Sequence, residues 1–581
     1  MDVFALFSAR VGNAMQVLFP DIGADLLARI VVEPPRDPAH GDLSTNAAMV
    51  VAKPLGRNPR EVATALAEHF RHDTDVISVE VAGPGFINFR LATPIWHQLL
   101  RSIAQLGADY GRSSLGQGEP VNIEYVSANP TGPMHVGHTR GAVFGDTLAS
   151  LMAYSGYEVT REYYINDAGS QIDTLANSTL LRYREALGET IEIPPGFYPG
   201  EYLVPVGQAL KAEFGDSLLS RPEAEVIPLV KDRVLAAMLD LIKHDLGLLG
   251  IHHDVFFSER TLHGAGGDIE LTLAWLREMG MIYEGRLEPP KGKTPEDWED
   301  REQTLFRATD YGDDVDRALV KSDGSYTYFA ADIAYHRNKF LRGFKHMINV
   351  LGADHSGYVK RLQAATKAVS LNAADMDVRI CQLVRLLKNG EPFKMSKRSG
   401  DLVTLADVVE EVGADATRFM LMYRRNDAAM DFDFALVKEQ TKDNPVFYVQ
   451  YAHARTYSIF KTAARDLPGL DFSPAALAAA EMERIVTPAE LELVRVLAAW
   501  PRTVTAAAIA HEPHRIAFYA HELAAAFHGF WAKGKDDPQL RFVNVDDPKL
   551  TLARLALVDA VRQVIVNALA ILGVSAPEEL S

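Results

Sequence analysis

The sequence predicts an α/β protein: a doubly wound parallel-sheet domain, preceded by an α+β domain and followed by an all-α helical bundle. Three observations carry that class. From residue 120 to about 440, strand-like and helical patterns alternate, as a parallel sheet with crossover helices requires. Residues 1–112 mix both periodicities, and residues 441–581 keep the helical one alone. The domain boundaries are therefore set at 1–112, 113–440 and 441–581.

In the first region the alanine-rich stretch Arg60 to Phe70 reads as a helix and Val76 to Val81 as a strand, ahead of Gly83-Pro84-Gly85-Phe86-Ile87-Asn88-Phe89. Gly107 to Gly118, rich in glycine and serine, reads as a linker. Val121-Asn122-Ile123-Glu124-Tyr125 then alternates like a half-buried strand and runs into the turn-forming Asn129-Pro130-Thr131-Gly132-Pro133. A helix is expected next, with Val143, Phe144, Leu148, Leu151 and Met152 on its apolar stripe and Gly156 as its stop. Further strands are expected at Glu158 to Tyr164 and at Met347 to Leu351, the latter before a helix containing Leu362, Ala365 and Val369. The long helical stretch Leu229 to Leu249 implies an insertion in this Rossmann-like domain. In the last region Ile516, Tyr519, Leu523, Phe527 and Phe530 keep 3-to-4 spacing, as do Val558, Val561, Ile565, Leu569 and Leu572 before Gly573.

Composition narrows the class of protein. With 581 residues, 48% of them hydrophobic, the chain can bury several cores. Its single cysteine, Cys381, excludes an internal disulfide framework and any multi-cysteine metal site, and in the apolar run Val378 to Val384 it reads as a buried, inert thiol. Asp2 and Arg10 interrupt the N-terminal apolar stretch, no basic leader precedes it, and no uninterrupted apolar run approaches membrane-spanning length, so a cytoplasmic protein with no membrane partner is expected. The formal charge of −18 sits mostly before residue 441, because residues 441–581 hold 14 Lys and Arg against 16 Asp and Glu. Net charge governs solubility and steering, so an acidic chain can still carry a basic groove. A monomer is expected, since no long heptad seam or conspicuous apolar tail demands a partner.

Two short stretches carry chemistry. His135-Val136-Gly137-His138 falls at a strand-to-helix turn, where free backbone N–H groups and the helix dipole favour anions, and Gly137 lets a base or phosphate approach the backbone. Lys394-Met395-Ser396-Lys397 follows Val384 to Phe393, in which Asn389-Gly390 is a strong hairpin signal, and Gly400 and Asp401 come directly after it. Together the stretches supply two imidazoles and two ammonium groups for a nucleoside triphosphate. His-x-x-His could instead be half of a zinc site, yet no cluster of further ligands accompanies it, so no zinc and no protein-held metal are expected. Gly292-Lys293-Thr294 is no phosphate-binding loop, because the required first glycine is Leu287, and its Pro- and charge-rich surroundings read as a surface loop.

In this order the two stretches resemble the HIGH and KMSKS signatures of class I aminoacyl-tRNA synthetases, and within that class the chain resembles the bacterial-type arginyl-tRNA synthetases. Ser127-Ala128-Asn129-Pro130-Thr131-Gly132-Pro133-Met134-His135-Val136-Gly137-His138 is similar to that family's extended first signature, and Glu162 to Gln171 to a second family stretch. His40-Gly41-Asp42-Leu43-Ser44-Thr45-Asn46 and Gly83 to Asn88 resemble its N-terminal domain. The final helical region, with Ala524-Ala525-Ala526-Phe527-His528, resembles its anticodon-binding bundle.

The resemblance implies ATP-dependent attachment of L-arginine to its tRNA through arginyl-adenylate, with ATP and magnesium as the substrate complex and transfer to a 2′ hydroxyl. It implies catalytic roles for His135, His138, Lys394 and Lys397, and ATP contacts from Gly137, Ser396 and the Gly352-Ala353-Asp354-His355 loop. It gives arginine to Glu124 and Asp332 as guanidinium carboxylates, to Tyr328 as a wall and to Asn129 near the amino-acid backbone. A planar, permanent cation does need carboxylates placed for paired hydrogen bonds, and Tyr328 and Asp332 share a face if their segment is helical. The N-terminal domain would touch the tRNA body, and the bundle its anticodon, with Tyr448, Tyr451, His453, Arg455 and Tyr457 as contacts or as core aromatics. Three alternatives stay open: a sister class I synthetase, a tRNA-independent nucleotidyltransferase sharing the His-x-Gly-His logic, and a catalytically silent RNA-binding paralogue.

Overall fold

Strand β1 (Pro120–Glu124) lies at the centre of a parallel sheet and organises everything around it. The structure is a computed structural model that describes residues 1–287, 300–393 and 403–580. After β1 come helix α1 (Val136–Tyr154), strands β2 (Glu158–Ile165) and β3 (Val255–Ser258), helix α2 (Tyr328–Leu341), strand β4 (His346–Gly352), helix α3 (Val359–Val369) and strand β5 (Asp375–Cys381). The strand order is β5-β4-β1-β2-β3, every pairing parallel. The chain builds outward from β1 on one side and returns to β4 on the other, so the switch point lies between β1 and β4, where Glu124 is in register with Asn349.

The sequence pattern suggested a half-buried β1, yet Val121, Asn122, Ile123 and Glu124 are all buried. Parallel sheets with crossover helices are covered on both faces, so the polar positions of a central strand point into protein as well. Asn122 accordingly donates to Glu162 Oε2 at 2.7 Å, and Glu124 is met by Lys339. Helix α1 ends at Tyr154, and Gly156 follows with φ 89°, as expected of a helix stop. Two buried guanidinium groups fix the helix. Arg140 donates to the carbonyls of Gln382, Arg425 and Ala428 at 2.7–2.8 Å, and Arg418 donates to Asp146 at 2.6 Å and to the Leu249 carbonyl at 2.9 Å.

The insertion exceeds the single stretch expected. After β2 three helices, Ser170–Ala186, Val204–Phe214 and Glu223–Leu248, pack on one another. The last begins six residues before Leu229 because Pro222 stands at its N-cap and Glu223 and Glu225 complement its first turn. After β3 an antiparallel sheet orders Arg317–Val320, Gln303–Phe306 and Ile282–Gly285. Its middle strand is buried throughout and so shows no alternation to detect. Gly292-Lys293-Thr294 falls outside the described residues. The hairpin expected at Asn389-Gly390 is present: Val384–Lys388 pairs with Glu391–Pro392 across a turn whose two central residues have φ 56° and 80°.

Residues 114–439 form one compact unit, and residues 1–113 form another together with 440–581. In the latter an antiparallel sheet orders Val32–Glu33, Leu43–Thr45, Phe86–Leu91 and Val76–Ala82, beside the helix Pro59–Phe70. The five longest helices of residues 440–581 run over Pro445–Asp466, Pro488–Ala498, Trp500–Ala510, His514–Asp536 and Pro548–Leu572. Asp42 joins the two segments: it accepts from Leu91 N at 2.7 Å and from Arg495 at 2.5 Å. Part of the stretch read as a linker is docked as well. The buried Tyr110 donates to the Leu497 carbonyl at 3.0 Å, and Trp500 Nε1 donates back to the Tyr110 carbonyl at 3.0 Å. Gly111 lies so close beneath the Trp500 indole that no side chain fits there, so glycine in this stretch serves packing rather than looseness. Composition alone also understated the apolar helices: Pro488–Ala510 and Pro548–Leu572 are long and apolar enough to cross a membrane, but here they are core helices of the bundle.

Glu490 concentrates the bundle's buried charge. It accepts from Val486 N and Thr487 N at 3.0 and 2.9 Å, closing a capping box, and pairs at 2.7 Å with Arg554, which is itself bonded to the carbonyls of Gln539 and Arg541. Removing one partner strands the other charge, so Glu490→Ala should cost about 3–5 kcal/mol. Urea unfolding followed by circular dichroism checks this, and a loss below about 1 kcal/mol, as at a surface pair, would contradict it.

Candidate active site

The carboxyl end of β1 leads into the first signature through strained backbone. Val126 and Ser127 have φ 70° and 41°, conformations that a β-branched residue rarely adopts and that cluster at functional sites. His135 then caps α1. Its Nδ1 accepts from Gly137 N at 3.1 Å, while His138 Nδ1 faces His135 N at 3.5 Å, and the two rings lie 3.8 Å apart at 31°. With both Nδ1 atoms turned to backbone donors, the ring protons sit on Nε2, leaving two N–H donors for a ligand. Burial lowers the pKa of both, His138 to about 4 with help from His135 and against Asp354, so near neutral pH the pair donates hydrogen bonds without carrying charge. The structure adds a reason for Gly137: a Cβ there would meet the His135 ring at 2.9 Å.

Across the switch point Gly352 ends β4, and Asp354 and His355 lie exposed in the following turn, 3.4 Å apart. Lys394, Ser396 and Lys397 fall outside the described residues, but the chain is anchored on both sides of them, on one side directly against the first signature. On one side the Asp433 carboxylate accepts from Asn389 N at 3.1 Å and Gly390 N at 2.6 Å, fixing the hairpin turn. On the other, Val136 N donates to the Val403 carbonyl at 3.0 Å and Leu405 N to the Met134 carbonyl at 2.8 Å, so residues 403–405 run antiparallel to the first signature.

A pocket of negative charge adjoins this crevice. The segment bearing Tyr328 and Asp332 is helical, which places the two on one face of α2, with Tyr328 69% exposed at its start. The Asp332 carboxyl is raised to about 7: burial is the main cause, Arg361 opposes it, and Glu124 and Glu259 add like charge. Glu124 is already paired, through Oε2 with Lys339 at 2.6 Å, while its Oε1 accepts from Ser127 at 3.1 Å. Asn129 is exposed and belongs to a side-chain chain, donating to Gln171 at 3.0 Å and accepting from Asn166 at 3.3 Å. Glu259, buried just beyond β3 and hydrogen-bonded to Tyr164, is a pocket carboxylate that sequence reasoning missed. Its position at a strand's carboxyl end was the available signal, but β3 has four half-buried residues and no alternation.

In the other unit, the helix Pro445–Asp466 separates the aromatics proposed as contacts. His453 is buried, with Nδ1 2.8 Å from the Pro577 carbonyl. The Tyr448 ring lies 4.4 Å from that of His528, tilted by 48°, and the Tyr457 hydroxyl accepts from Arg562 at 3.5 Å. Tyr451 is 40% exposed, and Arg455 lies over both Tyr451 and Trp531, at 4.4 and 3.8 Å. Cys381 is buried and its thiol is pushed up to about 12 by burial, which makes it unreactive.

Comparison with known proteins identifies the family. Residues 7–91 match the family described as arginyl tRNA synthetase N terminal domain, residues 102–193 and 298–451 match tRNA synthetases class I (R), catalytic domain, and residues 449–580 match the DALR anticodon binding domain. The chain is 60% identical over 585 residues to an arginine–tRNA ligase of Rhizobium etli and 59% identical over 587 residues to one of Methylorubrum extorquens, each alignment covering 100% of both chains. The crystal structure of Thermus thermophilus arginyl-tRNA synthetase, 21% identical, shares the fold over 100% of both chains with a TM-score of 0.75. The chain belongs to the arginyl-tRNA synthetases of class I.

Proposed function

We propose that the chain joins L-arginine to its tRNA at the expense of ATP, making arginyl-adenylate in the crevice between β1 and β4. The observation that carries this is the cluster of Asp332, Glu259 and Glu124 beside a neutral imidazole pair at the sheet's switch point, a pocket for a cation next to a site for an anion. The guanidinium is bound by Asp332 and Glu124, to which we add Glu259; Tyr328 covers the pocket, and Asn129 holds the amino-acid backbone. The arginine carboxylate attacks the α-phosphorus of ATP in line and expels pyrophosphate. No enzyme nucleophile takes part, so catalysis is positioning and charge stabilisation. His135 and His138 donate Nε2–H to phosphate oxygens, Lys394 and Lys397 neutralise charge growing on the α-phosphate and pyrophosphate, and Ser396 adds a hydrogen bond. Gly137, Gly352, Asp354 and His355 line the nucleotide. Magnesium arrives with ATP, held by phosphate and water.

In the second step the 2′ hydroxyl of the terminal tRNA adenosine attacks the adenylate carbonyl and AMP leaves. The helical bundle reads the anticodon, and residues 1–112 touch the tRNA body by shape. Exposure favours Tyr451 as a base contact over the buried His453, with the half-buried Arg455 guanidinium lying against its ring. Adenylate formation waits for bound tRNA, and the enzyme works as a cytoplasmic monomer. Arginine is preferred to lysine because an ammonium leaves paired carboxylates without their hydrogen bonds.

Pyrophosphate exchange into ATP, run with each amino acid with and without tRNA, should proceed with arginine alone and only when tRNA is present. Exchange with another amino acid would overturn the substrate, and exchange without tRNA the coupling. Lys397→Ala and His138→Ala should each lower turnover by about 100-fold or more while leaving tRNA affinity unchanged in filter binding. The Asp332 carboxyl, raised in the fold to about 7 from 3.8, makes the folded chain hold more protons than the unfolded one between those values. Free-enzyme stability should thus fall as pH rises through that window, while arginine, which selects the ionised form, should bind about tenfold tighter per pH unit up to neutrality and level off above it. Asp332→Asn should flatten that pH dependence; a KM for arginine that stays flat in the unsubstituted enzyme would refute the assignment.

A further inference from the structure

We propose that Lys339 is a positioning residue for the amino-acid pocket, an internal cation that ties helix α2 to β1 and fixes the Glu124 carboxylate; this rests on the reading of that pocket as the arginine site. Lys339 is fully buried, which lysine almost never is without a partner. Its ammonium donates to Glu124 Oε2 at 2.6 Å and to Asn349 Oδ1 at 3.2 Å, and it stands 4.5 Å over the Tyr335 ring. Those partners come from three elements. Glu124 ends β1, Asn349 lies beside it in register on β4, and Tyr335 is on α2 itself.

The spacing along α2 makes the connection specific. Tyr328, Asp332, Tyr335 and Lys339 follow one another at i, i+4, i+7 and i+11, a single stripe of the helix. The stripe starts at the exposed Tyr328, passes through Asp332 and ends at the buried ammonium. Tyr335 donates to Glu162 Oε1 at 2.7 Å, a second tie from the same stripe to the sheet. The distance between the Asp332 and Glu124 carboxylates is therefore set through α2 and its terminal lysine rather than by direct contact. Glu124 keeps Oε1, shared only with the Ser127 hydroxyl among the described residues, facing away from the lysine.

Apolar residues in place of both Lys339 and Glu124 would fill the same space, and replacing a whole buried ion pair in this way commonly leaves stability unchanged or improved, whereas removing Lys339 alone strands the Glu124 charge. Stability therefore gives no reason for the pair as a whole, whereas a carboxylate held in place for a ligand does. Without its counter-charge Glu124 would be a buried anion free to rotate toward any donor, and the geometry for a planar guanidinium would be lost.

The test is pyrophosphate exchange by the full chain with tRNA, varying arginine and ATP separately. Lys339→Met should raise the KM for arginine about tenfold or more while the KM for ATP stays within about twofold. In a Glu124→Gln background the same substitution should add less than about twofold, because a residue acting through Glu124 has nothing further to remove. A rise in both KM values together, an unchanged KM for arginine, or additive effects in the double variant would overturn the proposal. If Lys339→Met alone does not fold, the comparison of Glu124→Gln with Glu124→Gln/Lys339→Met decides, since the double variant leaves no lone charge. Absence of arginine-dependent exchange in the unsubstituted enzyme would instead refute the site itself, and the role of Lys339 with it.

Discussion

Strand β1 runs through the middle of the sheet with both faces covered, so each polar atom on it must find its partner inside the protein. That constraint organises the catalytic unit. Asn122 is satisfied by Glu162, which also takes a two-point contact from Arg342 at 2.7 and 2.8 Å and the Tyr335 hydroxyl. Glu124 is satisfied by Lys339. These contacts reach from β1 to β2, β4 and α2, and Glu124 and Glu162 stand in register near the carboxyl ends of their strands. A preorganised polar site needs such fixed supports, because a carboxylate or imidazole that can rotate forfeits much of its electrostatic advantage.

Above that layer the first signature is held at the start of α1 by geometry that also sets its chemistry. The capping arrangement uses both Nδ1 atoms and directs both Nε2–H groups outward, and desolvation keeps the rings neutral. The ladder between residues 134–136 and 403–405 joins this turn to the chain leaving the second signature. Arg140 and Arg418 bind the body of α1 to the carbonyls of Gln382, Arg425, Ala428 and Leu249. The two signatures, about 250 residues apart in sequence, are thus connected through one helix and a short stretch of paired backbone.

The other unit depends on a different economy of buried charge. Glu490 and Arg554 are both buried, the buried Asp42 is met by a partly exposed Arg495, and each pair joins elements far apart in sequence. Trp500 Nε1 donates to the Tyr110 carbonyl while the Tyr110 hydroxyl donates to the Leu497 carbonyl, so the stretch after residue 107 is part of the core before it becomes a connection.

The sequence by itself determined the elements and the chemistry. Alternation and 3.6-residue periodicity are local, so a strand such as Glu158–Ile165 was legible within a residue, and the last helix was legible at its end before Gly573 though not at its start at Pro548. The Asn389-Gly390 turn, the stop at Gly156 and the strand-to-helix turn at His135 were equally legible, because caps and turns are properties of short segments. Tertiary structure alone decided the strand order, the joining of residues 1–113 with 440–581, and the partners of buried charge. Lys339 and Glu124 lie 215 positions apart, and nothing near either announces the other. Glu259 stayed hidden for the same reason: a carboxylate becomes part of a pocket only when folding brings Asp332 and Glu124 close enough to share its field.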